Sequence, residues 1–429
     1  MNLFDVDFPA MALVRQNLVS RPLPDPRGEV LARLGELDLS GMIRPGGTAA
    51  VCVGSRNIDQ LPQVVRACVD CLAGLGLSPF IVPAMGSHGG ATPEGQTAVL
   101  EGLGVLAACP DVPVRADMGA GKIGRLDNGT PVFAAATALA ADHVVVINRV
   151  KHHTKFNAPV ESGLCKMLAI GLGKAEGARE YHRAAVRHGF GILEEAGLVA
   201  AKHCGLLFGL ALVEDGTGRL SMVRAAPPDR VAATDRELLR EAEAMSPRIP
   251  FRDLDVLVVD EIGKDISGIG MDSKVTGRHR DVVGDFDIQP APRRIFVRSL
   301  SPGSGGNANG IGLADVCHSR VARAMDEDRT FVNALVAASL EKAAVPMHFD
   351  SDRKCLAACI ATCGCESGAD ARMVRILNTA RLSLMLVSKA LETEVREDPA
   401  FTLESGFATP VFDEEGNLPA FPDRRDDGM

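Results

Sequence analysis

The chain has very few aromatic side chains: tryptophan is absent, and Tyr181 is the only tyrosine among 429 residues. Surfaces that bind single-stranded nucleic acid stack the bases on several aromatic rings. The chain also lacks a block of basic residues, and its formal net charge is −9. Because contacts to a phosphate backbone depend on lysine and arginine, both features argue against nucleic acid as a partner.

Long apolar runs are missing as well. No stretch approaches the roughly 20 apolar residues that a membrane-spanning helix needs. The start of the chain carries Asp5 and Asp7, where a secretory leader would be apolar. Eleven cysteines, an odd number, fit reduced thiols better than a disulfide framework. We therefore expect a soluble, cytoplasmic protein with no membrane contact.

The order of apolar runs predicts an α/β architecture. Short apolar runs that end at glycine or polar residues are typical of buried parallel strands, and here they alternate with amphipathic helical stretches. Thr92 and Pro93 predict the start of a helix. After residue 312 we expect mainly helices to about residue 392, and then a loosely held acidic tail over residues 413–429. The runs predicted as strands are 48–54, 79–83, 143–148, 206–213, 254–261 and 294–298.

Proline clusters mark the expected division of the chain. Pro227-Pro228 and then two prolines within residues 246–250 interrupt the alternation. We therefore predict two α/β domains with mainly parallel sheets. Residues 1–245 form the N-terminal, catalytic domain, and residues 246–429 form a C-terminal α/β domain with an acidic tail. The active site is expected in the cleft between them.

Histidine and lysine are concentrated just after the strand predicted at residues 143–148. His152 and His153 follow that strand, Lys166 comes next, and His182 is the sixteenth residue after Lys166. Active sites in open α/β sheets collect at the carboxyl ends of strands. Adjacent residues of an extended segment point in opposite directions, so one of the two histidines should face a given site. Partial burial of Lys166 would lower its pKa and free a neutral, nucleophilic amine.

Three further candidates follow other predicted strands. His88 lies in a turn with glycines on both sides, which permit close approach of a ligand to the backbone. Arg56 follows the first strong strand, where a guanidinium suits a carboxylate or phosphate. Lys264 lies in a glycine-containing loop that could wrap a ligand. The alternative interpretations are an ordinary turn for His88, an arginine at the start of a helix for Arg56, and a flexible connection for Lys264.

Four cysteines near the C-terminus allow two interpretations. Cys355, Cys359 and Cys363 recur every four residues, with Cys365 beyond them. An iron–sulfur site would use such thiols. The favoured interpretation is core packing, because this spacing places three small side chains on one face of a helix.

Taken together, these residues resemble the lactate racemase family, the nickel-pincer-dependent racemases and epimerases of 2-hydroxy acids. The resemblance covers most of the chain in order and domain layout, and it is sharpest from Gly86 to Arg183. Its motifs are the turn Gly86-Ser87-His88 and the stretch from Ser162 to Lys166. The longer gap before Lys166 and the two glycines after His88 depart from the family pattern and indicate a divergent branch.

The resemblance implies a role for each candidate of the N-terminal domain. His88 and one of His152 and His153 would be the two acid/base groups, one on each face of the substrate. Lys166 would carry the cofactor covalently, and His182 would bind nickel.

The resemblance also implies an isomerase with nickel and a pincer nucleotide, pyridinium-3,5-bisthiocarboxylic acid mononucleotide, as its cofactor. Arg56 and Lys264 would hold the substrate carboxylate or the cofactor phosphate. The partners would be a small 2-hydroxy acid and the proteins that make the cofactor, and a homo-oligomer is compatible with the sequence. A metal-dependent hydrolase or lyase that uses the same histidines, and a non-catalytic cofactor-binding homologue, are the alternatives.

Overall fold

The computed structural model describes residues 4–39, 41–281 and 289–422. The chain forms two compact units. The N-terminal unit is Val19–Ser246, and the C-terminal unit combines Met1–Leu18 with Pro247–Met429. The expected division into 1–245 and 246–429 therefore differs for the first residues of the chain. They belong to the C-terminal unit because Met11–Gln16 forms a strand that pairs within its sheet.

The secondary structure elements are numbered in chain order. The strands are β1 (Met11–Gln16), β2 (Thr48–Val53), β3 (Ser78–Pro83), β4 (Ala120–Arg125), β5 (Pro131–Ala135), β6 (His143–Arg149), β7 (Leu206–Glu214), β8 (Leu220–Ala226), β9 (Asp253–Ile262), β10 (Ala291–Leu300), β11 (Val316–His318), β12 (Met347–Phe349), β13 (Met373–Asn378), β14 (Arg381–Ser388) and β15 (Phe401–Leu403). The α-helices are α1 (Pro26–Gly35), α2 (Leu61–Gly74), α3 (Pro93–Gly102), α4 (Val105–Ala108), α5 (Ala136–Leu139), α6 (Gly163–Lys166), α7 (Lys174–His188), α8 (Ile192–His203), α9 (Val231–Met245), α10 (Ser273–Thr276), α11 (Ser319–Ala324), α12 (Glu327–Val336), α13 (Asp352–Thr362) and α14 (Glu392–Glu397).

The N-terminal unit is built on a five-stranded sheet in the order β3-β2-β6-β7-β8. The first four strands are parallel, and β8 runs antiparallel to β7. Strands β2 and β7 are almost entirely buried, as parallel strands covered on both faces are. The chain passes from β2 to β3 on one side and returns with β6 on the other side of β2. A topological switch point, where open α/β sheets bind ligands, therefore lies between the carboxyl ends of β2 and β6.

The C-terminal unit has an eight-stranded sheet in the order β12-β11-β10-β9-β13-β14-β1-β15. Strands β9 to β13 are parallel to one another. Strands β14, β1 and β15 continue the sheet with antiparallel pairing. Two α/β units with mainly parallel sheets confirm the predicted fold class.

The structure adds four strands to the stretch between residues 312 and 392, where mainly helices were expected. Strands β11 to β14 lie in that stretch. In β14 the exposed Arg381 and Ser383 alternate with the buried Leu382 and Leu384. This period of two belongs to a strand with one solvated face, and it predicts a strand better than the overall apolar content of the segment does.

The prediction of a loosely held tail was also wrong for residues 413–422. The side chain of Arg298 donates a hydrogen bond to the carbonyl of Leu418 (2.9 Å), and Arg375 donates to the carbonyl of Pro419 (2.7 Å). Both arginines are buried in the sheet of the C-terminal unit. This part of the tail therefore supplies acceptors to buried charges. Residues 423–429 lie outside the described residues.

Other local predictions were confirmed. Pro93 opens α3, and the Thr92 hydroxyl accepts a hydrogen bond from the Gly95 amide at 3.0 Å. Cys355 and Cys359 are buried in an apolar core beside α13, as the packing interpretation of their spacing predicts. Within the described residues, none of the helices combines the length and the apolar character needed to cross a membrane.

Candidate functional site

His88 lies just past the carboxyl end of β3 in a turn that only glycine can form easily. Gly86 and Gly89 have φ values of 59° and 63°. A Cβ atom on Gly89 would lie 2.6 Å from the backbone of the following helix. The exposed imidazole of His88 contacts the Ser55 hydroxyl through Nδ1. Since Ser55 precedes Arg56, this contact joins the loops that follow β2 and β3.

His152 and His153 occupy different surroundings, as expected for adjacent residues of an extended segment. Nδ1 of buried His152 lies 3.2 Å from the Ser246 hydroxyl oxygen, and that hydroxyl donates to the carbonyl of Ala242 at 2.7 Å. The single hydroxyl proton is used there, so Nδ1 of His152 carries a proton and donates to Ser246. Nδ1 of His153 instead accepts from the amide of Lys155 at 3.1 Å. The two imidazoles therefore differ in the role of Nδ1.

A buried carboxylate fixes the start of the helical turn that ends at Lys166. Asp235 accepts hydrogen bonds from the amides of Leu164 and Cys165, each at 2.8 Å. A Cβ atom on Gly163 would lie 2.1 Å from the same carboxylate, and Gly163 has a φ of 80°. Glycine is therefore required at position 163, because helix α9 places the carboxylate of Asp235 against the backbone there.

The backbone directly after Lys166 departs from α-helical geometry. Met167–Gly171 forms a π-helical turn, a distortion that is frequent at functional sites. The amide of Gly86 donates to the carbonyl of Gly171 at 3.1 Å. A Cβ atom on Gly171 would lie 2.5 Å from a carbonyl oxygen of the loop after β3. The segment after Lys166 and the turn that carries His88 are thus in direct backbone contact.

The amine of Lys166 lies in a positively charged environment. Burial, together with the charges of Arg56 and Lys151, lowers the pKa of Lys166 to about 7, and Glu161 opposes this shift. Within the described part of the chain, the amine has no hydrogen-bond or ion-pair partner. A lysine with this pKa is substantially uncharged at neutral pH, and an uncharged amine is the nucleophilic form.

Arg56 stands at the same edge of the sheet, immediately after β2. No carboxylate among the described residues forms an ion pair with its side chain. Loss of hydration and the nearby guanidinium of Arg149 lower the pKa of Arg56. Arg149 itself is paired with Glu214. The switch point therefore holds the guanidinium of Arg56 and the largely uncharged amine of Lys166, and neither has an ion-pair partner among the described residues.

His182 lies on α7 within reach of the charge of Lys166. Burial, together with the charges of Lys155 and Lys166, lowers the pKa of His182 to about 4. The imidazole is therefore neutral at pH 7, which is the form that binds a transition metal.

A row of aromatic rings connects His153 with His182. His153 stacks on Phe156 with ring centroids 4.4 Å apart, and Phe156 stacks on Phe190 at 4.5 Å. Tyr181 leans on Phe190 at 6.4 Å and meets the edge of His182 at 5.6 Å. The two histidines thus stand at the ends of one apolar wall. Sequence reasoning missed this wall, since isolated phenylalanines in separate elements carry no pattern.

Lys264 lies in the C-terminal unit, just past the end of β9. Its amine donates to the carbonyl of Gly268 (2.6 Å) and to the side-chain oxygen of Asn333 (2.9 Å). These bonds hold its own glycine-containing loop. Lys264 is therefore not among the candidates that the N-terminal unit gathers at its switch point.

Within residues 4–39, 41–281 and 289–422, no group of three or more histidine, cysteine, aspartate or glutamate side chains is arranged to hold a metal ion.

No protein-family model and no curated protein matches the chain. Among solved structures, it is similar to the lactate racemase apoprotein from Thermoanaerobacterium thermosaccharolyticum, with a TM-score of 0.48 and 12% sequence identity over 85% of this chain and 84% of that one. It is also similar to a protein from Thermotoga maritima, with a TM-score of 0.46 and 15% identity over 76% of this chain and 84% of that one.

Proposed function

We propose that the chain is a nickel-dependent racemase or 2-epimerase of a small 2-hydroxy acid, with a nickel-pincer nucleotide attached to Lys166. The observation that carries the proposal is the pair Arg56 and Lys166 at the β2/β6 switch point, without a counter-ion among the described residues. The charge of Arg56 disfavours protonation of the nearby Lys166 amine. An anionic ligand would neutralise Arg56, and the uncharged amine is the form that can be converted to an amide. A nucleotide with acid groups and a phosphate would neutralise Arg56 and form that amide.

The donor set of the N-terminal unit fits this cofactor. Lys166 offers an amine that is largely neutral and can form an amide-like bond. The neutral imidazole of His182 suits nickel as a fourth ligand beside sulfur and carbon. Arg56 is free to bind a phosphate or the substrate carboxylate in a bidentate manner. When bound, the cofactor supplies a hydride acceptor for C2 of the substrate.

The histidines supply the proton transfers. Racemisation requires a group on each face of the substrate that takes or returns the hydroxyl proton. His88 serves one face, and its imidazole is oriented by Ser55. His152 or His153 serves the other. The two histidines are adjacent and have different Nδ1 partners, Ser246 for His152 and the amide of Lys155 for His153.

The first experiment measures the intact mass and the nickel content of protein made together with the nickel-pincer biosynthesis proteins. The proposal expects a covalent adduct at Lys166 and about one nickel per chain. Lys166→Ala should remove the adduct, and Lys202→Ala, a change at an exposed lysine of α8, should retain it. A Lys166→Ala variant that is fully loaded would contradict the attachment site.

The second experiment separates nickel binding from turnover. His182→Ala should lose nickel and keep its fold. His88→Ala should keep the loaded cofactor and lose most of the interconversion of 2-hydroxy-acid enantiomers. Bound metal without added mass would favour the hydrolase or lyase alternative. A loaded wild-type protein that converts no 2-hydroxy acid would favour a binding homologue.

A further inference from the structure

Lys174 is a completely buried lysine at the first position of α7. Its φ is 56°, in the left-handed region that residues other than glycine rarely occupy. Burying an amine and holding the backbone in this conformation both reduce stability. In the part of the chain that the structure describes, no carboxylate forms an ion pair with Lys174. The interactions that hold it in place are therefore hydrogen bonds.

Those hydrogen bonds lead to the turn that carries His88. The amine of Lys174 donates to the carbonyl of Pro83, at the end of β3, at 2.7 Å. It also donates to the side-chain oxygen of Gln96 at 3.1 Å. The side-chain nitrogen of Gln96 then donates to the carbonyls of Gly86 (2.9 Å) and His88 (3.3 Å). Gln96 is itself completely buried.

The other end of this connection belongs to the segment that begins at Lys166. The π-helical turn after Lys166 ends at Gly171, whose carbonyl accepts the amide of Gly86. Lys174 follows three residues later. The same short segment therefore carries Lys166 at its start and contacts the His88 turn at its end, once through Gly171 and once through Lys174.

We propose that Lys174 and Gln96 form a buried strut that fixes the position of His88 relative to Lys166. Lys174 is a positioning residue, since its amine is enclosed and bonded to Pro83 and Gln96. The inference rests on the proposed function in one respect, the catalytic role of His88. The geometric part, that the strut holds the turn, stands independently. Groups that transfer protons need supporting residues of this kind, because small displacements of a reacting group are costly to the rate.

The geometric part is tested by hydrogen exchange of the peptide that contains residues 84–92. Lys174→Met removes the amine and keeps most of the apolar length of the side chain, and Gln96→Met removes the link without altering a buried charge. Each variant should exchange at least about tenfold faster there than the wild type, because the turn opens without its strut. Wild-type exchange in both folded variants would overturn the proposal. If Lys174→Met does not fold, Gln96→Met alone decides.

A matched control comes from the other completely buried lysine, Lys342, in the C-terminal unit. Its amine is bonded to Asp281 at 2.7 Å. Lys342→Met should lower the midpoint of thermal unfolding and leave the exchange of residues 84–92 unchanged. Faster exchange of these residues in Lys342→Met would show a general loss of stability and would overturn the assignment to the strut.

Turnover of the cofactor-loaded enzyme tests the catalytic part. Lys174→Met and Gln96→Met should each reduce kcat by about tenfold to a hundredfold and leave KM within about twofold, since a displaced acid/base slows the reaction without weakening substrate binding. The double variant should be no slower than the slower single variant, because both remove one strut. Faster exchange with unchanged kcat would overturn the positioning role. A wild-type enzyme without turnover would instead refute the proposed function, and the exchange result would still decide the strut.

Discussion

The carboxylate of Asp235 caps the helical turn that ends at Lys166, although the two residues lie in different helices far apart in the sequence. It accepts the amides of Leu164 and Cys165 at 2.8 Å each. Asp235 is almost completely buried. The position of the lysine thus depends on one carboxylate, and several properties of the protein should follow from this and similar contacts.

Asp235→Asn should flatten the pH dependence of the free energy of unfolding. Burial raises the pKa of Asp235 from 3.8 to about 7. An acid with a higher pKa in the folded state binds more protons there than in the unfolded state. Its contribution to stability is therefore fully present below about pH 4 and is lost as the pH rises to about 7. Urea unfolding at pH 5 and pH 8 measures this loss, which should be smaller in the variant. An equal loss of unfolding free energy in the wild type and in Asp235→Asn would refute the assignment of this pH dependence to Asp235.

Lys166 should react with an acylating reagent at a lower pH than the other lysines. The amine reacts when it is deprotonated, and the pKa of Lys166 lies at about 7 because of burial and the charges of Arg56 and Lys151. Competitive acetylation followed by mass spectrometry of peptides gives the midpoint of its reactivity, with exposed Lys202 as the reference. Arg56→Gln should raise the midpoint, since it removes a repelling charge. A midpoint near that of Lys202 would contradict the environment described above.

Removal of residues 413–429 should destabilise the C-terminal unit. The carbonyls of Leu418 and Pro419 accept hydrogen bonds from the buried guanidinium groups of Arg298 and Arg375. Buried donors that lose charged hydrogen bonds cost on the order of 3 kcal/mol. A chain that ends at residue 412 should unfold at a clearly lower temperature than the full chain. A chain that ends at residue 422 keeps these contacts and should match the full chain.

Cys363 and Cys365 should form a disulfide under oxidising conditions. Their sulfur atoms lie 3.3 Å apart, and Gly364 between them has a φ of 84°. Glutathione disulfide supplies the oxidant: one thiolate displaces glutathione, and the second thiol displaces another, with a mass loss of about 2 Da in the protein. Burial and the hydrogen bond from Cys363 raise the pKa of Cys365 to about 11, so the reaction should accelerate with pH.

Mass spectrometry of the peptide that contains both cysteines checks this oxidation. Cys365→Ser should show no mass loss, and it leaves the remaining cysteines as an internal control. A wild-type peptide that keeps both thiols at pH 9 would contradict the expected pairing.

The elements that position the site could be predicted from the sequence to within a few residues. Strands β2, β3 and β6 are buried on both faces, so each reads as a continuous apolar run. The candidate residues at their carboxyl ends, Arg56, His88 and His152, were selected for this reason. The functional interest of the short turns could also be predicted, since glycine and histidine at the carboxyl ends of strands have few structural uses.

The supporting contacts could not be predicted, because they join residues that are distant in the sequence. Nothing in the sequence distinguishes Asp235 from the other aspartates, because its role depends on the packing of α9 against α6. The same holds for Lys174 and Gln96, whose burial depends on the packing of α3 and α7 around β3. The stacking of Phe156 on Phe190 requires two separate loops to meet. Local periodicity contains no information about such pairs.

The pairing of β1 has a consequence for the synthesis of the chain. Met11 pairs with Ser388, so the first strand has no neighbour on that side until nearly the whole chain has been translated. The N-terminal unit needs only residues 19–246 and can fold while the ribosome is still working, since domains generally fold as units in the order of synthesis. At translation rates of about 5 to 20 residues per second, β1 remains without its partner strand β14 for roughly 20 to 80 seconds. During that time its exposed apolar edge is a natural binding segment for a chaperone.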